Sequence, residues 1–319
     1  RFLRDVSHRD VATEVLGIPL QAPVALAPVG VLEIVHPEAE LAVARACAET
    51  GTAMVLSSAA SSTMEDVAAA LGNAPGLFQL YWPKSRDIAA SFVRRAEAAG
   101  YRAIVVTLDT TILAWRPRDL QTAYLPFLER KGVANYYSDP AFRELLGGTT
   151  PEEDPGNAVL TWAGQFANPA LCWDDLPFLR EHTSLPIVLK GVLHPDDARR
   201  AVDAGVDGLV VSNHGGRQVD GAIGALDALP GVVEAVDGAL PVLFDSGIRT
   251  GADVVKAVSL GAAAALVGRP YVHGLALGGQ AGVVEVLRGL LAELDLTMAL
   301  SGNATLADLG PHVLAPAPT

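Results

Sequence analysis

The residues best placed to do chemistry lie in one run, Ser212-Asn213-His214-Gly215-Gly216-Arg217-Gln218. Histidine has an unperturbed pKa near neutrality and is a natural general base. An arginine three residues on can hold a carboxylate through two parallel N–H donors. The two glycines between them let the backbone turn tightly. A lone histidine is more often a surface or packing residue, but this one directly follows an apolar, β-branched run, Gly208–Ser212. His8, His36, His182, His194, His273 and His312 have no such setting and read as structural. No two histidines stand at metal-ligand spacing, so no metal is expected.

A second cluster is Asp245-Ser246-Gly247-Ile248-Arg249-Thr250-Gly251, followed further on by Gly268-Arg269-Pro270. Glycine–arginine pairs that open helices suit a phosphate, which backbone N–H groups and a helix N-terminus can hold. The plainer alternative is that these are turn glycines. Lys190 ends the apolar run Pro186-Ile187-Val188-Leu189 and needs an anionic partner there or must lose its charge. Both a Schiff-base lysine and a cation beside an anionic cofactor ring fit that position.

The elements that must carry these residues are eight short apolar runs: Val24–Ala27, Ala53–Ser57, Leu77–Tyr81, Ala103–Leu108, Ile187–Lys190, Gly208–Ser212, Pro241–Asp245 and Ala264–Val267. They alternate little, as strands buried on both faces do. Amphipathic stretches lie between most of them, clearest at Pro37–Glu49, Arg86–Ala99, Pro195–Ala204 and Gly251–Leu260, each stopping at a glycine. Eight such units predict an α/β fold, a (β/α)8 TIM barrel, with a doubly wound open sheet as the rival. In a barrel the strand ends meet at one mouth. Those ends read Pro28; Ser57 and Ser58; Gln79 and Tyr81; Thr107 and Asp109; Lys190; Ser212, Asn213 and His214; Asp245; Gly268 and Arg269. Core packing does not require a polar group at nearly every strand end, so the mouth is the expected site. The stretch from Asp109 to Pro186 is too long for a barrel connection and looks irregular, with Gly147-Gly148 and Pro151–Gly156 flexible and solvated. It predicts a lid-like insertion over about 118–170, within a single domain spanning 1–319.

The chain has 319 residues, half of them hydrophobic, and a formal net charge of −13. That composition excludes a disordered chain and leaves ample material for a large core. The acidic balance argues against nucleic acid and anionic membrane as partners. Two cysteines, Cys47 and Cys172, form no disulfide framework and fit a cytoplasmic protein. No apolar window is long enough for a membrane span.

The run Leu189-Lys190-Gly191, the His214 loop, Asp245–Arg249 and Gly268-Arg269 together resemble the FMN-dependent L-2-hydroxy-acid oxidising enzymes, which include glycolate oxidase and lactate oxidase. Phe78-Gln79-Leu80-Tyr81 and Thr107-Leu108-Asp109-Thr110 match as well, so the resemblance covers nearly the whole chain. Trp115–Leu120, Pro126–Leu128 and Asn135–Pro140 look most like lactate 2-monooxygenase. The resemblance implies FMN across the mouth. Ala27, Pro28, Val29 and Gly30 would meet the ring through backbone, and Ser57, Gln79 and Thr107 its polar edge. Lys190 would lie by flavin N1, Ser212 and Asp245 by the ribityl chain, and Gly247, Arg249, Gly268 and Arg269 by the phosphate. Arg116 and Arg217 would grip the substrate carboxylate, Tyr81 would bond the substrate oxygen, and Asp109 would pair with His214 as the base.

Two departures are expected to matter. The family carries a segment ahead of Arg1 that brings another tyrosine to the substrate, and this chain is expected to lack it. Ala59 stands where glycolate oxidase has tryptophan, which suits lactate or larger acids. The expected activity is FMN-dependent oxidation of L-lactate with O2, with oxidative decarboxylation as in lactate 2-monooxygenase. The alternatives are a plain oxidase releasing pyruvate and hydrogen peroxide, and a non-oxidising FMN barrel such as an isomerase. The resemblance also implies a homotetramer.

Overall fold

The structure, a computed structural model, describes residues 3–315. The expectation about a segment ahead of Arg1 lies outside them. A short antiparallel hairpin, β1 (Thr13–Val15) and β2 (Ile18–Leu20), comes first. Eight parallel strands follow: β3 (Val24–Leu26), β4 (Ala53–Ser57), β5 (Gly76–Leu80), β6 (Ile104–Thr107), β7 (Ile187–Val192), β8 (Gly208–Val211), β9 (Val242–Phe244) and β10 (Ala264–Val267). Each pairs with the next, and β10 pairs with β3, so the sheet closes. Closure decides for the barrel over the open sheet. Six of the eight strands fall within the runs read from sequence, while β5 starts one residue earlier, at Gly76, and β7 continues two residues further, to Val192.

The chain packs in two shells. Inside the barrel lie Ala25, Val55, Leu77, Val105, Val188, Val210, Leu243 and Leu266, together with Val15, Ile18 and Leu20 of the hairpin. The hairpin, which sequence patterning did not reveal, thus adds its apolar side chains to the barrel interior. Its Leu16 lies near Gly208 at the start of β8, so it covers the end opposite the strand termini that carry the polar residues. Between strands and helices lies the larger core, including Phe78, Phe92, Ile104, Leu189, Leu209 and Phe244. The four helices read from sequence form over Ala39–Thr50, Arg86–Ala98, Pro195–Asp203 and Gly251–Ser259. The glycine beyond each takes positive φ, as Gly51 does at 66°, where a residue with Cβ would be strained.

The segment between β6 and β7 is more ordered than its composition suggests. It holds helices Pro117–Thr122, Ala134–Tyr137, Pro140–Glu144, Pro155–Phe166 and Leu176–Arg180. Pro155 looks like a breaker, yet it is the first residue of a helix whose cap is Asp154, accepting from the Asn157 amide. Phe127 stacks on Trp162 at 4.3 Å, and Tyr136, Phe142 and Phe166 join the same cluster. Gly147 and Gly148 are exposed as expected, but Leu146 and Pro151 beside them are buried. No helix of the described residues is long and apolar enough to cross a membrane.

Candidate active site at the barrel mouth

Six neighbouring strands end at buried polar side chains: Ser57, Gln79, Thr107, Lys190, Ser212 and Asp245. Such groups are costly unless they are hydrogen-bonded, and these bond to one another. Ser57 Oγ donates to Gln79 Oε1 at 3.1 Å, and Gln79 Nε2 donates to Thr107 Oγ1 at 2.9 Å. The Ser58 amide also donates to Gln79 Oε1, and Ser58 Oγ accepts from the Tyr81 amide.

On the next strands the network becomes charged. Lys190 Nζ donates to Ser212 Oγ at 2.9 Å and lies 3.2 Å from Asp245 Oδ2. Burial pulls the lysine pKa down, but Asp245 and Asp109 outweigh it and leave the ammonium above its ordinary value. That cation favours an anionic neighbour and disfavours the neutral amine a Schiff base needs. Asp245, assigned to the ribityl chain by resemblance, spends its carboxylate on Lys190 and on Ser246, whose Oγ donates to Oδ1 at 2.7 Å.

His214 Nδ1 lies 2.9 Å from Asp109 Oδ1, which leaves Nε2 as the nitrogen free to take a proton. Thr110 Oγ1 donates to the same Asp109 oxygen at 2.9 Å. Burial would raise the Asp109 pKa; the His214 bond and the Lys190 charge outweigh it and hold the carboxyl below the usual range. Room for this carboxylate comes from Gly191, at φ 107° beside a register shift in β7. A Cβ there would lie 3.0 Å from Asp109 Cγ and Oδ2.

Arg116 and Arg217 reach the same mouth from two loops. Arg116 donates to the Arg217 carbonyl at 3.3 Å and to Gln218 Oε1 at 2.7 Å. Its pKa is lowered by burial and by the charge of Arg217, so an anion placed between the two guanidiniums relieves their repulsion. Gln218 Nε2 in turn donates to the Asp109 carbonyl at 2.7 Å, joining this pair to the base. Tyr81 packs on Phe166 at 5.3 Å, and burial raises its pKa, so the phenol keeps its proton and can donate it in a hydrogen bond.

The remaining expected contacts lie on the other side of the mouth. Ala27 is buried and Pro28, Val29 and Gly30 are partly exposed; Gly268 comes near Ala27, 3.9 Å from a Cβ placed on Gly268 to the Ala27 Cβ. Gly247 has φ 119° with open space where a Cβ would stand. At the helix Gly251–Ser259 the Thr250 amide donates to Asp253, the Gly251 amide to Glu293 and the Asp253 amide to Thr250 Oγ1, so these amides are taken. The helix starting at Arg269 has no side-chain cap, which leaves that N-terminus the better anion site. Arg249 and Arg269 are exposed and make no ion pair among the described residues. Small residues on one side, a hydrogen-bonding arc on the other and a buried cation between them fit a flat heterocycle with a polar edge and a phosphate tail.

Ser246, Thr110, Gln218 and Asn135 also belong to this constellation, Asn135 through its bond to the Ser58 carbonyl at 3.3 Å. Ser246 and Thr110 stand next to aspartates already singled out, and Gln218 next to Arg217, so adjacency was a usable signal. Asn135 opens one of the runs that carry the resemblance, but its approach to Ser58 depends on how the insertion folds back.

A parallel barrel with a histidine–aspartate pair, a buried lysine and two arginines at its mouth defines a class of α/β-barrel oxidoreductases. The chain belongs to the FMN-dependent dehydrogenase family, whose sequence model matches residues 1–316. It is 47% identical over 311 residues to an FMN-dependent alpha-hydroxy acid dehydrogenase of Penicillium citrinum, covering 97% of this chain and 77% of that one. It is 46% identical over 319 residues to an L-lactate oxidase of a Nostoc species, covering 98% and 85%. Its structure matches that of mandelate oxidase with a TM-score of 0.84 at 40% identity, covering 97% and 83%. The protein is therefore an FMN-dependent 2-hydroxy-acid oxidoreductase.

Proposed function

We propose that the protein oxidises an L-2-hydroxy acid, L-lactate foremost, with dioxygen as the final oxidant, and decarboxylates the oxo acid before releasing it. The observation that carries this reading is the His214–Asp109 pair, 2.9 Å apart, linked through Gln218 to two mutually repelling arginines. That joins a base to a carboxylate grip. Arg116 and Arg217 hold the substrate carboxylate, and Tyr81 donates to the substrate oxygen. His214 Nε2 takes the proton, and Asp109 stabilises the imidazolium so formed. Lys190 would set positive charge beside the polar edge of a bound FMN. Ser57, Gln79 and Thr107 would bond that edge, Ser212 and Asp245 would lie by the ribityl chain, and Gly247, Arg249, Gly268 and Arg269 would hold the phosphate. FMN bound there would supply the two-electron acceptor between the substrate and dioxygen.

Lactate loses two electrons and two protons to give pyruvate, and dioxygen takes them up as hydrogen peroxide. Peroxide and pyruvate held together then give acetate, carbon dioxide and water. Residues 118–170 form the lid that holds them together, a role supported by Phe166 lying against Tyr81. The small, buried Ala59 and the similarity to lactate oxidases support lactate as substrate.

The test mixes holoenzyme with L-lactate, first without oxygen and then in air. Flavin absorbance should bleach, faster than with glycolate or (S)-mandelate, and air should yield acetate and carbon dioxide. No bleaching refutes the oxidation of lactate. Release of only pyruvate and peroxide refutes the decarboxylation and leaves a plain oxidase.

A further inference from the structure

Three consecutive backbone amides at the His214 turn end on two serine hydroxyls. The Asn213 and Gly215 amides donate to Ser246 Oγ at 3.2 and 3.0 Å, and the His214 amide donates to Ser212 Oγ at 3.1 Å. Each hydroxyl is held from its other side by one member of the same ion pair. Lys190 donates to Ser212 Oγ at 2.9 Å, and Ser246 donates to Asp245 Oδ1 at 2.7 Å. The turn needs such support, because His214 has φ 57°, a conformation that residues with a Cβ rarely adopt. Ser246 is itself left-handed at φ 77°, where glycine would sit without strain. A serine kept in a strained conformation, with its hydroxyl in three hydrogen bonds, points to a role for the hydroxyl.

We propose that Ser246 is a positioning residue for His214. Its hydroxyl clamps the strained turn from β9 while Ser212 clamps it from β8. Through these two hydroxyls the Lys190–Asp245 pair and the general base are held in one fixed relation. Ser246 touches neither substrate nor the transferred proton; it sets the direction from which His214 meets them. The inference rests on His214 being the base, as proposed above. Loss of the clamp therefore lowers turnover more than it raises the KM for lactate.

Ser246→Gly removes the hydroxyl and relieves the backbone strain, so it tests the clamp without endangering the fold; Ser246→Ala removes the hydroxyl alone. Both holoenzymes should retain FMN and reduce it with L-lactate about 10- to 100-fold more slowly, the cost of a misplaced catalytic group. Backbone hydrogen exchange at Asn213 and Gly215 should accelerate in both, and the Ser246→Gly protein should melt no lower than wild type. In a His214→Gln background, with the slow residual reduction followed to completion under anaerobic conditions, Ser246→Gly should cause no further loss. Wild-type reduction rates in both serine variants, unchanged exchange, or the same proportional loss on the His214→Gln background each overturn the clamp. A slow rate explained by lost FMN affinity overturns it too. If His214→Gln itself runs near the wild-type rate, the general-base reading falls and takes the clamp with it; a normal His214→Gln loss beside a wild-type Ser246→Gly removes the clamp alone.

Discussion

At the barrel mouth, buried serine, glutamine, threonine, lysine and aspartate side chains from six strands are joined by hydrogen bonds and one ion pair. The segment between β6 and β7 is held by stacked and edge-on rings, Phe127, Tyr136, Phe142, Trp162 and Phe166. Hydrogen bonds fix direction to a few tenths of an ångström, which proton transfer requires. Ring packing fixes volume and excludes water but spreads its energy over many contacts. One atom removed from the first region should cost chemistry. One ring removed from the second should cost stability and closure.

The sharpest way to break that contrast is His214→Gln. Loss of the base should slow flavin reduction by about 100- to 10,000-fold with FMN still bound, measured by anaerobic rapid mixing with L-lactate. A small loss would mean that the network positions something other than a base. Trp162→Ala should remove about 3–5 kcal/mol of stability, as deletion of a buried aromatic does, read by urea titration. Its flavin reduction at saturating lactate should fall by less than about tenfold, the cost of a modest positional change, while products shift toward pyruvate and peroxide. A collapse in reduction rate would show that the insertion orients the reacting groups as well as covering them.

The smallest effect is expected from Arg217→Lys. Lysine keeps the charge but loses the planar pair of donors, so the KM for lactate should rise by about tenfold, the worth of roughly one hydrogen bond to a charged group. FMN content should not change. Unchanged half-saturation would remove Arg217 from the site and leave Arg116 as the carboxylate's partner.

Much of this architecture is local enough to read along the chain. The runs that become β3 to β10 are short, β-branched and non-alternating because both faces are buried. The helices stop where a glycine permits positive φ. Resemblance across the His214 and Asp245 loops was enough to indicate the family. Of the stretch Pro151–Gly156, read as flexible and solvated, Glu152–Asp154 and Gly156 are exposed, but that Asp154 caps a helix from Pro155 and that Trp162 and Phe166 share one buried face shows only once the helix axis is known.

Sequence by itself therefore determined the eight strand–helix units and the types of residue at each strand end, since both follow from periodicity and from chemistry carried within a few residues; closure of those strands into a barrel came from the structure. Apart from the Asp109–His214 pair, which the resemblance implied, tertiary structure decided the pairings. Asp109 meets His214 across 105 positions, Lys190 meets Asp245 from two strands away, and Ser246 reaches back to the turn after β8. Barrel closure sets those distances, because it places strand ends far apart in the chain around one ring. No spacing along the chain encodes which hydroxyl or carboxylate each will face.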